Sequence, residues 1–206
     1  MTRIKLCGLC RPDDVKAVNE LKPEYAGFVF AEASKRYVSP YFAAELKSML
    51  SSDIKAVGVF VDEPVAAVAA LLNGGVIDMA QLHGKETDDY IRALRDMTGG
   101  KTVIKAVRLR TEADAEAAEK CDADYVLLDS GAGGGKVFDW RLASLVDRPY
   151  FLAGGLDKDN VAAAIRRLHP FAVDVSSGIE RDGVKDNRKM AAFVAAVRGG
   201  ENHDQS

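Results

Sequence analysis

The chain lacks any excess of basic residues: 28 Lys and Arg stand against 31 Asp and Glu, a net charge of −3. A nucleic-acid surface usually announces itself as a basic domain or stripe, so no nucleic-acid partner is expected. No apolar run approaches the ~20 residues that a membrane helix needs, so no membrane partner is expected. The apolar run behind Met1-Thr2-Arg3-Ile4-Lys5 is too short for a secretory leader. Cysteines are sparse and odd in number (Cys7, Cys10 and Cys121), which suits a reducing, cytoplasmic location better than a disulfide framework. Linkers rich in Pro or Ser and blocks of like charge are missing as well. A chain of 206 residues, 48% hydrophobic and 29% charged, is therefore expected to form one domain that buries roughly 70% of its unfolded surface. That domain spans 1–198, and 199–206 reads as a flexible tail with nothing to bury.

What is present is a repeated unit. Short β-rich runs, Ile4–Cys7, Tyr25–Phe30, Ile54–Val61, Ile77–Leu82, Thr102–Val107, Tyr125–Leu128, Tyr150–Ala153 and Phe171–Val175, begin roughly two dozen residues apart. Several are nearly continuous in apolar residues, as parallel strands covered on both faces require. Stripes of helical period lie between them: Phe42, Leu46 and Met49; Tyr90, Leu94 and Met97; Val161, Ile165 and Leu168; Met190, Phe193 and Val197. Pro12 suits a first helical turn, Thr87, Asp157 and Asp186 suit caps, and Asp62 is expected to cap the third helix. The α/β fold this predicts is a single (β/α)8 barrel. An open doubly wound sheet is the alternative, but its Gly-x-Gly-x-x-Gly turn after the first strand is missing.

Chemistry in such barrels sits at the C-terminal ends of the strands. Those ends carry Cys7, the Ala31–Arg36 loop, Asp62, His83, Arg108, Asp129, Gly154-Gly155 and Ser176-Ser177-Gly178. Glycine-containing turns after strands seven and eight let backbone N–H groups approach an anion, which points to phosphate there. Asp129 ends an apolar strand, where a carboxyl is costly unless used or paired; a general acid is one use. Cys7 ends the first strand at the mouth of the barrel and becomes a proton acceptor if its pKa falls; the other reading is a buried structural cysteine. Cys7-x-x-Cys10 lacks the context of a redox pair, and neither it nor the three histidines have the spacing of a zinc site. Arg36 matches a carboxylate in a bidentate pair, or is a solvated loop charge. His83 reads equally as a structural residue and as a site residue. Gly131-Ala132-Gly133-Gly134-Gly135-Lys136 lacks the Walker pattern and reads as a mobile lid.

Taken in order, Lys5-Leu6-Cys7-Gly8-Leu9, Gly27-Phe28-Val29-Phe30, Ser34-Lys35-Arg36-Tyr37-Val38, Val57-Gly58-Val59-Phe60-Val61, Gln81-Leu82-His83-Gly84, Leu128-Asp129-Ser130, Phe138-Asp139-Trp140, Ala153-Gly154-Gly155-Leu156 and Val173-Asp174-Val175-Ser176-Ser177-Gly178-Ile179-Glu180 resemble the phosphoribosylanthranilate isomerase family of tryptophan biosynthesis. The resemblance implies a (β/α)8 isomerase without cofactor or metal. It implies that the enzyme acts on a small phosphosugar, N-(5-phosphoribosyl)anthranilate, by an Amadori rearrangement; a monomer or homodimer is expected. It implies Asp129 as general acid, Cys7 as general base and Arg36 as the contact to the anthranilate carboxylate. Gly154, Gly155, Ser176, Ser177 and Gly178 match the phosphate site. His83 and Asp174 lie in matching motifs and count among the substrate contacts. Ala132 and Gly134 depart from the family's usual glycine-rich loop, and Cys10 stands where threonine is common. Another phosphosugar barrel enzyme, such as an epimerase, would need a different acid–base set, a phosphate-binding barrel would dispense with Cys7 or Asp129, and a scaffold would not need thiol, acid and arginine at one mouth.

Overall fold

Residues 1–129 and 140–200 are described by a computed structural model, in which every expected strand is found. These are β1 Arg3–Cys7, β2 Tyr25–Val29, β3 Lys55–Phe60, β4 Met79–Leu82, β5 Val103–Arg108, β6 Tyr125–Asp129, β7 Tyr150–Ala153 and β8 Ala172–Val175. All pair in parallel with their sequence neighbours, and β8 returns to β1 to close the barrel. A parallel neighbour must be reached by a crossover, and helices supply it: α1 Pro12–Leu21, α2 Pro40–Met49, α3 Val65–Asn73, α4 Asp88–Thr98, α5 Glu112–Lys120, α6 Trp140–Ala143 and α7 Val161–Leu168, with α8 Asn187–Gly200 behind β8. Between β8 and α8 lie a 3₁₀ turn, Ser177–Ile179, and a small hairpin of β9 Glu180–Arg181 and β10 Val184–Lys185. Among the described residues, no helix is long and apolar enough to cross a membrane.

Three of the five helix starts expected from the sequence stand where it places them. Pro12 occupies the first turn of α1, where its missing N–H is not needed. Thr87 accepts the N–H of Tyr90, and Asp186 accepts those of Arg188 and Lys189. Asp157 accepts the N–H groups of Asp159 and Asn160, forming a turn ahead of α7 rather than its cap, which is Asn160. Asp62 does not cap α3: Pro64 stands at that position, and the Asp62 carboxylate instead accepts the N–H of Lys85, tying the β3 loop to the β4 loop. The buried face of α4 is Ile91, Leu94 and Thr98, one position round from the expected stripe, and Met97 and Met49 are exposed. α8 continues to Gly200, into the stretch expected as tail, and 201–206 lie outside the described residues.

Two layers of core position the site. One lies between strands and helices. The other fills the barrel: Tyr25, Phe151, Tyr125 and Phe171 pack with ring centroids 4.6–5.7 Å apart, Tyr125 stacked on Phe171 and the other pairs tilted or edge-to-face. Tyr25, Tyr125 and Phe171 stand at the N-terminal ends of their strands, so these rings plug the barrel from below. The open end is the other one, where Cys7, Val29 and Val59 make a small separate apolar cluster.

Candidate active site

A cavity of about 430 Å³ opens at the C-terminal ends of the strands, inside the range of about 300–1,000 Å³ usual for small organic ligands. Cys7, Arg36, His83, Asp129, Gly154, Gly155, Asp174, Ser176 and Ser177 all line it. Gly178 stands behind the lining. A Cβ there would lie 2.1 Å from the carbonyl oxygen of Leu156, so its missing side chain lets the β8 turn close onto the β7 turn. Ser130 to Asp139, and with them the expected lid, lie outside the described residues.

Cys7 points into the barrel from the last position of β1, 6% exposed. Two residues earlier, on the same face of the strand, Lys5 is wholly buried, with its Nζ 2.9 Å from Oδ1 of Asp174 on β8. Burial would discharge such a lysine, but the charge of Asp174 and of Cys7 outweighs it, and the Lys5 pKa is raised. Burial also pushes the Cys7 thiol up, opposed by the charge of Lys5 and a hydrogen bond from it. The fall in thiol pKa that a proton acceptor would favour is therefore not met. Cys10 lies before α1, its N–H donated to Asp14.

Arg36 is held rather than solvated. Its Nε lies 2.6 Å from Oε1 of Glu180, and its Nη2 lies 2.8 Å from Oε2. Lys185, buried beneath, gives its ammonium to Oε1 of Glu180 at 2.7 Å and to the carbonyl of Ser176 at 2.9 Å. Burial works against charge on Glu180, but hydrogen bonds and charge from Arg36 and Lys185 win, and its pKa falls to about 2. Glu180 and Lys185 went unrecognised in the sequence as site residues. The signal was Asp182-Gly183, both at positive φ, the dipeptide that turns a two-residue hairpin. That hairpin folds Lys185 back under Ser176.

On the opposite wall, Nε2 of His83 lies 3.6 Å from Oδ2 of Asp129, and Nδ1 of His83 meets the Gln81 amide at 3.0 Å. His83 is thus placed beside the carboxyl at the end of β6. Gly154 and Gly155 follow β7 with φ of 91° and 66°, a turn that side chains rarely permit. The Gly155 N–H donates to no carbonyl among the described residues.

The model of the family N-(5'-phosphoribosyl)anthranilate (PRA) isomerase matches residues 4–196. The chain belongs to this family. Curated PRA isomerases agree along the whole length: that of Endomicrobium trichonymphae is 42% identical, covering 96% of this chain and 99% of its own. That of Acetivibrio thermocellus is 43% identical, covering 96% of each. The solved PRA isomerase of Thermotoga maritima superposes with a TM-score of 0.88 at 36% identity, over 97% of this chain and all of that one. A PRA isomerase complexed with reduced 1-(o-carboxyphenylamino)-1-deoxyribulose 5-phosphate superposes at 0.85, 34% identical, with the same coverage. Monomers of the dimeric T. maritima enzyme have also been solved and are 35% identical. A thiamine phosphate pyrophosphorylase of Pyrococcus furiosus, 16% identical with a TM-score of 0.69, shares the fold alone.

Proposed function

We propose that this chain is an enzyme of tryptophan biosynthesis that converts N-(5-phosphoribosyl)anthranilate to 1-(2-carboxyphenylamino)-1-deoxyribulose 5-phosphate. Family membership supports the reaction. The observation that carries it to these residues is the shared cavity, with Cys7 on β1 and Asp129 on β6, two strands that are not neighbours, facing one space.

The chemistry divides between them. Asp129 gives a proton to the furanose ring oxygen; the C1–O bond breaks, and the nitrogen lone pair closes a C1=N Schiff base. Cys7, as thiolate, takes the proton from C2, and the electron pair moves into C1–C2 as the C=N bond becomes C–N. The resulting enolamine loses its O2 proton and gains one at C1, leaving the ketone. The enolamine exchanges its O2 and C1 protons with solvent, from which Asp129 regains its proton and to which Cys7 releases the one it took, so the cycle closes without oxidation or reduction and the scheme calls on no cofactor or metal. Two of the five Arg36 N–H groups go to Glu180, and three remain for the anthranilate carboxylate. The turns at Gly154, Gly155, Ser176, Ser177 and Gly178 take the phosphate through backbone N–H groups. His83 and Asp174 contact the sugar between them.

Freshly formed phosphoribosylanthranilate is fluorescent, and the purified protein should quench it far faster than buffer alone. Unchanged decay would refute the assignment. We further assign the enzyme to the cytoplasm as a monomer or homodimer, between which light scattering decides.

A further inference from the structure

A fully buried lysine is costly unless it is paired and used, and the proposed reaction gives Lys5 no task. The ammonium lies inside the barrel, 2.9 Å from the carboxylate of its register partner Asp174, and one side-chain step below Cys7 on the same strand face. Salt-bridging to Asp174 alone would be served as well by an apolar pair of similar volume. What an apolar pair would not supply is a cation beneath the sulfur.

We propose that Lys5 is a positioning residue for Cys7, its ammonium set between the sulfur and the Asp174 carboxylate so that the thiolate, when it forms, is held and stabilised at the floor of the cavity. This rests on the reading of Cys7 as the base. The proton bookkeeping is simple: the thiol loses its proton to solvent, Lys5 keeps its own, and the thiolate regains one from C2. The other charged or titratable groups around the sulfur are Asp174 on β8, Lys185 on β10 and Arg36 in the β2 loop, with His83, Arg108 and Asp129 across the cavity. Of the two closest, Lys5 favours the thiolate and Asp174 opposes it, so their removal must act with opposite sign. A purely structural ion pair has no such asymmetry, since losing either half only destabilises.

The experiment uses a background in which Cys10 and Cys121 are Ser, so that the ultraviolet absorbance of thiolate reports Cys7 alone without substrate. Lys5→Met should move the titration midpoint of Cys7 up by about one to three pH units, the usual effect of a close opposite charge. Asp174→Asn should move it down, and Lys5→Arg should restore much of the Lys5→Met shift. The limb on which kcat/KM rises with pH, which reports the group that must be deprotonated, should follow the same order. An unchanged midpoint in folded Lys5→Met overturns the proposal, as does an upward shift in Asp174→Asn. Should Lys5→Met not fold, Asp174→Asn decides by itself. The Cys7→Ala enzyme separates the two ideas. Near-normal turnover there would end the reading of Cys7 as base, whatever the thiol titrations give.

Discussion

Glu180 grips Arg36 at two points, Oε1 to Nε at 2.6 Å and Oε2 to Nη2 at 2.8 Å, and the same carboxylate is anchored from below by Lys185. An arginine so fixed loses little rotamer freedom on meeting a carboxylate, which favours binding. Replacing Arg36 by Met should raise KM roughly 10- to 100-fold, the worth of a lost charged hydrogen bond. Lys should not restore it, because an ammonium cannot serve Glu180 and a planar carboxylate in one fork. Glu180→Gln, which loosens the grip without removing the cation, should fall between. Steady-state kinetics with an unchanged KM in Arg36→Met would return this side chain to a loop charge.

The same network sets an acid limit. Glu180 has its folded pKa depressed from the ordinary 4.5 to about 2. Its contribution to stability is thus complete above pH 4.5 and is lost as pH falls towards 2. Thermal melts of the wild type should drop across that window, and the drop should be shallower in Glu180→Gln, which has no proton to gain. Parallel Tm curves for the two proteins would show that Glu180 carries none of the acid sensitivity.

How far the sequence reveals this site depends on the kind of contact. Strand ends are legible because apolar runs stop abruptly, and so Cys7, His83, Asp129 and both glycine turns are found from order alone. Asp62 misleads because a carboxylate before a helix looks like a cap, while here it bonds to the N–H of Lys85 on the neighbouring loop. Lys5 and Glu180 stay hidden because their partners lie 169 and 144 residues away, and Lys185, only 5 residues from Glu180, because a lysine in a strand reads as solvent-facing. Only closure of the barrel, with β8 against β1, brings Asp174 to Lys5.

Gly178 tests the fit between the last two turns. A Cβ at this position would meet the backbone oxygen of Leu156 at 2.1 Å, and backbone cannot swing aside as a flexible side chain can. Gly178→Ala should cost about 1–3 kcal/mol of stability, the usual penalty of overpacking, and should weaken binding of inorganic phosphate as the two turns separate. Denaturant titration and phosphate binding check the two parts. Wild-type stability in Gly178→Ala would mean that the turns yield without cost.

Ring opening is the step proposed for Asp129. A furanose opens slowly because its ring oxygen leaves poorly until protonated, and a positioned acid typically supplies about 10² to 10⁴ in rate. The carboxyl sits at the end of β6, lining the cavity, with the His83 imidazole 3.6 Å away. Asp129→Asn keeps the size and much of the hydrogen bonding but has no proton to transfer. Product should still bind within about tenfold, a difference of ~1.4 kcal/mol. Turnover should fall at least about 100-fold on the same general-acid estimate. Ring opening then limits the variant, so substituting deuterium for the C2 proton should give a smaller isotope effect than in the wild type, provided that proton abstraction there is at least partly limiting. Wild-type turnover in Asp129→Asn would leave Asp129 a structural carboxylate. A large fall in turnover with an undiminished isotope effect would instead place the role of Asp129 at C2, on the step assigned to Cys7, because the step it impairs would then be the one that moves the C2 proton.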